Sequence, residues 1–293
     1  MRLSNSYFPA ARGGFVPPVL AALLVSGLSA SLAHAVPVGI TVTFTNTSPT
    51  GGVGTSPLWV GFHNGSFDVF DPGAAVSAGV KSTAEDGSNT AIMGLFTGNG
   101  VQGTLPGGPA LPGAVRTASF TVDTAGAGRY FSYASMVVVS NDFFIANANP
   151  TAIDLAGLAP NQTLSFLVGV PYAAGLPNVV FDAGTEVNDF AFSLANGLFG
   201  IPGGQTGPNQ GTAQGGVATA VSASSPFAGF LNTPSGGVSA NLNFNNAALY
   251  TSIGRIDITS VPEPASLLLL GGGLLALSGL RRQRRVTRIP APG

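Results

Sequence analysis

Apolar and polar side chains alternate strictly along Ile40-Thr41-Val42-Thr43-Phe44-Thr45, along residues 118–122 and along residues 255–259. A period of two sends every second side chain to the same face, so each run predicts a strand with one face buried. Two predominantly apolar runs, residues 136–139 and 164–170, predict strands buried more fully. Turn chemistry recurs between them at Asn64-Gly65, Asp71-Pro72-Gly73 and Asp182-Ala183-Gly184. A short helix is predicted over residues 76–84. Residues 98–113 and 200–237, where Gly, Pro, Ser, Gln and Asn dominate, read as loops, the second a mobile one. No repeat at a solenoid or propeller period is visible. The sum is an all-β, antiparallel sandwich with long Gly/Pro-rich loops rather than a doubly wound sheet.

Both ends follow a different pattern. Arg2 and Arg12 precede an apolar, small-residue stretch that closes on Ala33-His34-Ala35, an A-x-A cleavage site. Residues 1–35 therefore read as a signal peptide cut after Ala35. At the far end, Val261-Pro262-Glu263-Pro264 leads into an uncharged, Leu- and Gly-rich stretch, residues 265–280, which runs into Arg281, Arg282, Arg284 and Arg285. As a helix that stretch spans roughly 24 Å at ~1.5 Å per residue, short of a ~30 Å hydrocarbon core. It is thus expected to cross the inner membrane only transiently, with the Arg cluster on the cytoplasmic side. The expected division is signal peptide 1–35, sandwich 36–200, a Gly/Ser-rich loop and final strands of the same domain 201–260, and sorting segment 261–288.

Removing the two ends changes the charge. The whole chain has 11 basic and 12 acidic residues and a net charge of −1. Residues 36–260 keep Lys81, Arg116, Arg129 and Arg255 as their only cations, with all acids except Glu263, for a net charge of −7. Such a body has no footprint for nucleic acid or anionic lipid but suits divalent cations. There is no cysteine, so stability rests on a core or a bound metal.

Nothing in the body singles out a catalytic residue. Gly98-Asn99-Gly100-Val101-Gln102-Gly103 satisfies G-x-G-x-x-G, but the Pro- and Gly-rich residues after it cannot open the helix a dinucleotide needs. His63 is the only histidine beyond the signal, and no G-x-S-x-G elbow is present, so His63 reads as structural or surface. The sequons at Asn46 and Asn161 read as unmodified. More informative are three acidic segments beside apolar runs: Ala84-Glu85-Asp86-Gly87, Ser140-Asn141-Asp142-Phe143-Phe144 and Phe181-Asp182-Ala183-Gly184-Thr185-Glu186. Carboxylates at strand ends and loops are the ligands that hard cations such as calcium take.

Two resemblances follow from these residues. The Val-Pro-Glu-Pro, apolar stretch and Arg cluster resemble the PEP-CTERM sorting signal of Gram-negative, biofilm-forming bacteria. This implies an exosortase as processing partner, and export to the cell surface, outer envelope or extracellular matrix. The segments around Trp59-Val60-Gly61-Phe62-His63-Asn64-Gly65, Glu85-Asp86-Gly87, Ser135-Met136-Val137 to Asp142-Phe143-Phe144, and Asp182-Ala183-Gly184-Thr185 resemble, in order and spacing over residues 38–200, the spondin N-terminal domain. That resemblance implies a C2-like β-sandwich, an adhesion or matrix role, and calcium held by Glu85, Asp142, Asp182 and Glu186, with the Phe144 carbonyl as a further donor. The expectation is a non-enzymatic surface or exopolysaccharide-matrix component; the alternatives are a secreted polysaccharide hydrolase or a carbohydrate-binding module.

Overall fold

In the computed structural model the described residues are 37–49, 52–96, 100–138, 140–170, 172, 177–188, 210–221 and 251–261. The strictly alternating runs build one sheet. β1 (Val38–Asn46), β5 (Val115–Val122), β8 (Thr163–Val168) and β11 (Gly254–Val261) lie in the order β5-β1-β11-β8, all antiparallel. Ile40, Val42 and Phe44 of β1 and Ile256 and Ile258 of β11 point to one side and are fully buried.

A second sheet takes β10 (Thr219–Ala220), β9 (Phe181–Asp182), β7 (Phe143–Ala146), β6 (Tyr130–Val138), β3 (Trp59–His63) and β4 (Val101–Thr104) in that order, with β2 (Gly54–Thr55) beside β6. Its Val60, Phe62, Phe131, Tyr133 and Ile145 complete the apolar layer between the sheets. Rings meet across that layer, with Phe62 and Phe120 centred 5.1 Å apart and Tyr133 and Phe166 5.9 Å apart.

The second sheet is buried on its other face too, by a helical layer. α1 (Ala78–Asp86) starts at Ser77, whose hydroxyl accepts the Val80 N–H at 3.2 Å, and α2 (Thr90–Leu95) follows. Under them lies a second apolar cluster of Trp59, Phe67, Phe70, Val80, Ile92, Phe96, Phe144 and Phe181. β7 shows why both layers form: Phe143 and Ile145 point to the first cluster, Phe144 and Ala146 to the second. Gly61 lets the rings close in, since a Cβ there would stand 2.8 Å from both Phe96 and Trp59.

Several expectations are corrected. β8 is half-buried rather than enclosed: Leu164, Phe166 and Val168 face inward, while Thr163, Ser165 and Leu167 face solvent. Ser165 keeps the alternation, but Leu167, an exposed hydrophobic, fills the next solvent-facing position and makes the run read as apolar. Residues 98–113 are not all loop, because β4 pairs with β3 there, from Trp59↔Thr104 to Phe62↔Val101. Gly103, the last glycine of the G-x-G-x-x-G string, therefore sits in a strand and opens no helix. Part of the presumed mobile stretch is ordered as well, since residues 210–221 include β10. The helix predicted over 76–84 forms two residues later, as α1, and a second helix, α2, follows it where the sequence pattern predicts none. Asn46 is buried and donates its amide to the carbonyls of Val53 (3.0 Å) and Ala110 (2.7 Å), which leaves no room for a glycan in the folded state.

Among the described residues no helix is long and apolar enough to cross a membrane. The signal peptide with Ala35, the span 265–280, and Pro262, Glu263, Pro264, Arg281, Arg282, Arg284 and Arg285 lie outside the described residues.

Candidate functional site

The turn between β6 and β7 carries the most buried carboxylate. Ser140 shapes it, donating its hydroxyl to the Val137 carbonyl (2.6 Å) and accepting the Phe143 N–H (3.0 Å). Asp142, fully buried beside it, accepts three bonds on Oδ2: the N–H groups of Thr185 (2.7 Å) and Glu186 (3.0 Å) and the Thr185 hydroxyl (3.2 Å). Its other oxygen, Oδ1, meets no donor. Asp182 sits opposite Phe143 in the β7–β9 pair. It accepts the Gly184 N–H on Oδ1 and the Asn188 amide on Oδ2, both at 2.7 Å.

Glu186 and Glu85 form the second half of the cluster. Glu186, 2% exposed, accepts the Gly211 N–H on Oε1 at 3.1 Å and leaves Oε2 without a donor. Glu85, on the last turn of α1, is 1% exposed. Its Oε1 has no hydrogen-bond donor; the Lys81 ammonium is 3.6 Å away. Gly211 belongs to the stretch read as a loose loop, and a Cβ there would collide with the Glu186 carboxylate. Gly211→Ala should therefore destabilise the protein by about 1–3 kcal/mol, as overpacking does, measured by urea unfolding; a change below about 0.5 kcal/mol would show that this segment does not close over Glu186.

The electrostatics match the geometry. Burial, and then the charge of Asp182, pushes Asp142 up to about 7. Burial raises Asp182 also. Glu186 is pushed up to about 7 by burial and then by Glu85, and Asp86 is raised by burial and then by Glu85. The four predicted acids thus come together as two interacting pairs, Asp142 with Asp182 and Glu186 with Glu85, joined where Asp142 accepts the Glu186 N–H. Among the described residues no three His, Cys, Asp or Glu side chains converge closely enough to hold one ion by themselves. The side-chain donors of the cluster are all hard oxygens, and three of them, Asp142 Oδ1, Glu186 Oε2 and Glu85 Oε1, are buried without a hydrogen-bond donor.

His63 is structural. It is fully buried, accepts the Gly65 N–H on Nδ1 at 3.0 Å, and places Nε2 2.9 Å from Ser132 Oγ, which also accepts the Asn147 amide at 3.0 Å. With Nδ1 accepting, the ring proton of neutral His63 is on Nε2 and points at Ser132, the wrong tautomer for drawing a proton off that hydroxyl. Burial lowers His63 to about 4. Ser132, Asn147, Asn188 and Gly211 are lone polar or small residues with no spacing signal, so the sequence does not mark them.

The last strand of the body leads to the other functional element. β11 ends at Val261, which pairs with Gly39 at the start of β1. Residues 260–285 match the PEP-CTERM protein-sorting motif. The chain is therefore exported and sorted to the surface or the exterior by the exosortase route. Val261, Pro262, Glu263, Pro264 and the four arginines of the cluster all fall inside that match, which leaves residues 38–200 untouched. No curated protein matches the chain at a significant level.

Proposed function

We propose that this protein is a non-catalytic, calcium-stabilised adhesion or exopolysaccharide-matrix component that the exosortase route delivers to the cell surface, with a spondin-type C2-like sandwich as its body. The carrying observation is the buried acidic cluster. Asp142 Oδ1, Glu186 Oε2 and Glu85 Oε1 are enclosed without hydrogen-bond donors, an arrangement that is costly while the carboxylates are ionised and that either a cation or a retained proton relieves. Glu85 comes from α1, Asp142 from the β6–β7 turn, and Asp182 and Glu186 from the segment at β9. An ion there would tie the helical layer to the second sheet. A hydrolytic carboxylate must reach its substrate, and Asp142, Glu85 and Glu186 are all 2% exposed or less, which favours a structural over a catalytic use.

The test is thermal unfolding of the full-length protein in calcium and in chelator. Calcium at 100 times its Kd should add about 2.7 kcal/mol, and Asp142→Ala and Asp182→Ala should each abolish the gain. A melt that calcium leaves unchanged at millimolar concentration removes the metal from the reading.

A further inference from the structure

The turn His63-Asn64-Gly65-Ser66, where β3 ends, gathers the parts of a self-modifying site. The Gly65 N–H donates to His63 Nδ1 at 3.0 Å, and the Ser66 N–H donates to Asn64 Oδ1 at 3.0 Å. The second bond makes an Asx turn, closing a ring that contains both the Asn64 carboxamide carbon and the Gly65 nitrogen. It also puts a donor on the oxygen where negative charge develops when that carbon is attacked. Asn64 is exposed, so water reaches its carboxamide, while His63 beside it is fully buried. Gly65, at φ +96°, has no side chain to shield its nitrogen.

His63 completes the arrangement. Its Nε2–H points at Ser132 Oγ, 2.9 Å away, which fixes the ring with Nδ1 as the acceptor. The tautomer that is wrong for Ser132 is the right one for the Gly65 N–H. An amide nitrogen attacks through its π electrons, perpendicular to the N–H, so the in-plane bond to Nδ1 leaves the attack open and gives the proton a receiver. A nucleophile, a base in reach of it and a third group orienting the base together mark an activated nucleophile. The other Asx turns at asparagine lack these parts. Asn46 accepts the Ser48 N–H (2.9 Å), but it is buried and the Thr47 N–H goes to the Ile253 carbonyl (2.8 Å). Asn149 accepts the Thr151 N–H (2.9 Å), but Pro150 follows and has no N–H to give up.

We propose that Asn64 is a site of self-catalysed modification, in which the Gly65 nitrogen closes on the Asn64 carboxamide with His63 as the base. The bond from Gly65 N to Asn64 Cγ forms as the N–H proton passes to His63 Nδ1. The Cγ–Nδ2 bond then breaks, and Nδ2 leaves as ammonia with that proton. Water opens the cyclic imide at either carbonyl, giving aspartate or its isomer linked through the side chain. Asparagine and water thus become a carboxylate and ammonia, with no oxidant, reductant or cofactor. Burial keeps His63 neutral and Nδ1 free to accept, but it also makes the ring a weak base. The gain is therefore roughly tenfold, below the usual general-base contribution. In the isomer the main chain gains a carbon between His63 and Phe67, whose ring packs 5.6 Å from Trp59 and 4.8 Å from Phe96. The change is irreversible, marks the age of each molecule and loosens the loop that anchors Phe67. It is independent of the calcium reading.

Peptide-mapping mass spectrometry tests this on the full-length protein aged at neutral pH in heavy-oxygen water, beside a synthetic peptide of residues 59–69. Native Asn64 should take up one heavy oxygen roughly tenfold faster than the peptide does, while Asn46 and Asn149 stay intact. His63→Phe keeps a ring among Phe67, Phe96 and Tyr130 and should return Asn64 to the peptide rate. His63→Gln offers an acceptor oxygen without basicity and should do the same. The inference is overturned if native Asn64 converts no faster than the peptide, or if a folded His63 variant converts as fast as the native protein or faster. The comparison of native protein with peptide decides the matter even where neither variant folds.

Discussion

Trp59→Ala should lower the unfolding free energy by about 3–5 kcal/mol, the usual cost of emptying a large aromatic site. Trp59 is fully buried on the helix side of β3, its ring 5.6 Å from Phe67 and 5.5 Å from Phe96. Its indole N–H donates to Gln102 of β4 at 2.9 Å, so truncation also strips Gln102 Oε1 of a donor. The cavity would open beneath the layer that includes α1, and α1 supplies Glu85. Trp59 is the only tryptophan, so unfolding of the variant must be followed by circular dichroism in urea. A loss under about 1 kcal/mol would mean that the helical layer unfolds separately from the sandwich.

The second large effect runs against intuition: in chelator at pH 7, Asp142→Asn should stabilise the protein. Asp142 and Glu186 titrate at about 7 when folded, against 3.8 and 4.5 unfolded. The folded state therefore holds more protons between about pH 4 and 7. Their contribution is fully present below the unfolded values and is lost as pH rises towards 7. For Asp142 the loss is on the order of 4 kcal/mol at neutral pH, and asparagine avoids it while still presenting an acceptor oxygen to the N–H groups of Thr185 and Glu186. His63 acts oppositely: its pKa is lowered from 6.5 to about 4, so its contribution is present above 6.5 and is lost as pH falls. The difference between native and variant melting temperatures isolates Asp142 from that background. It should be large at pH 7, vanish by pH 4, and reverse at pH 7 when calcium is added. A variant that is less stable at pH 7 in chelator would show that Asp142 is held ionised without strain.

How far the sequence could be read depended on whether one force acted alone. β1, β5 and β11 are half-buried strands with solvent on one side, so their alternation is undiluted and legible. β8 obeys the same rule, but exposed Leu167 fills a polar slot and makes the run look enclosed. β4 is an edge strand of four half-buried residues in a glycine-rich stretch, and its pairing with β3 comes from tertiary contact rather than local pattern. α2 is six residues long, too short for a helical period to show. At the site, the acidic segments could be found because each combines carboxylates with an adjacent apolar run. Their division into two pairs could not, because it depends on how β9 and residues 210–221 fold back over the β6–β7 turn.

The pairing of β1 with β11 has a consequence for how the body is completed. β11 is an inner strand of its sheet, yet among the described residues it is the last strand and ends at Val261, inside the sorting motif. Until it arrives, β1 and β8 lack the partner that joins them, and the buried faces of Ile40, Val42 and Phe44 have no Ile256 and Ile258 alongside. Closing so long a loop is also among the slowest steps open to a chain. The sandwich can therefore close only once the strand that runs into the sorting motif is in place, so completion of the body and the start of the motif depend on the same segment.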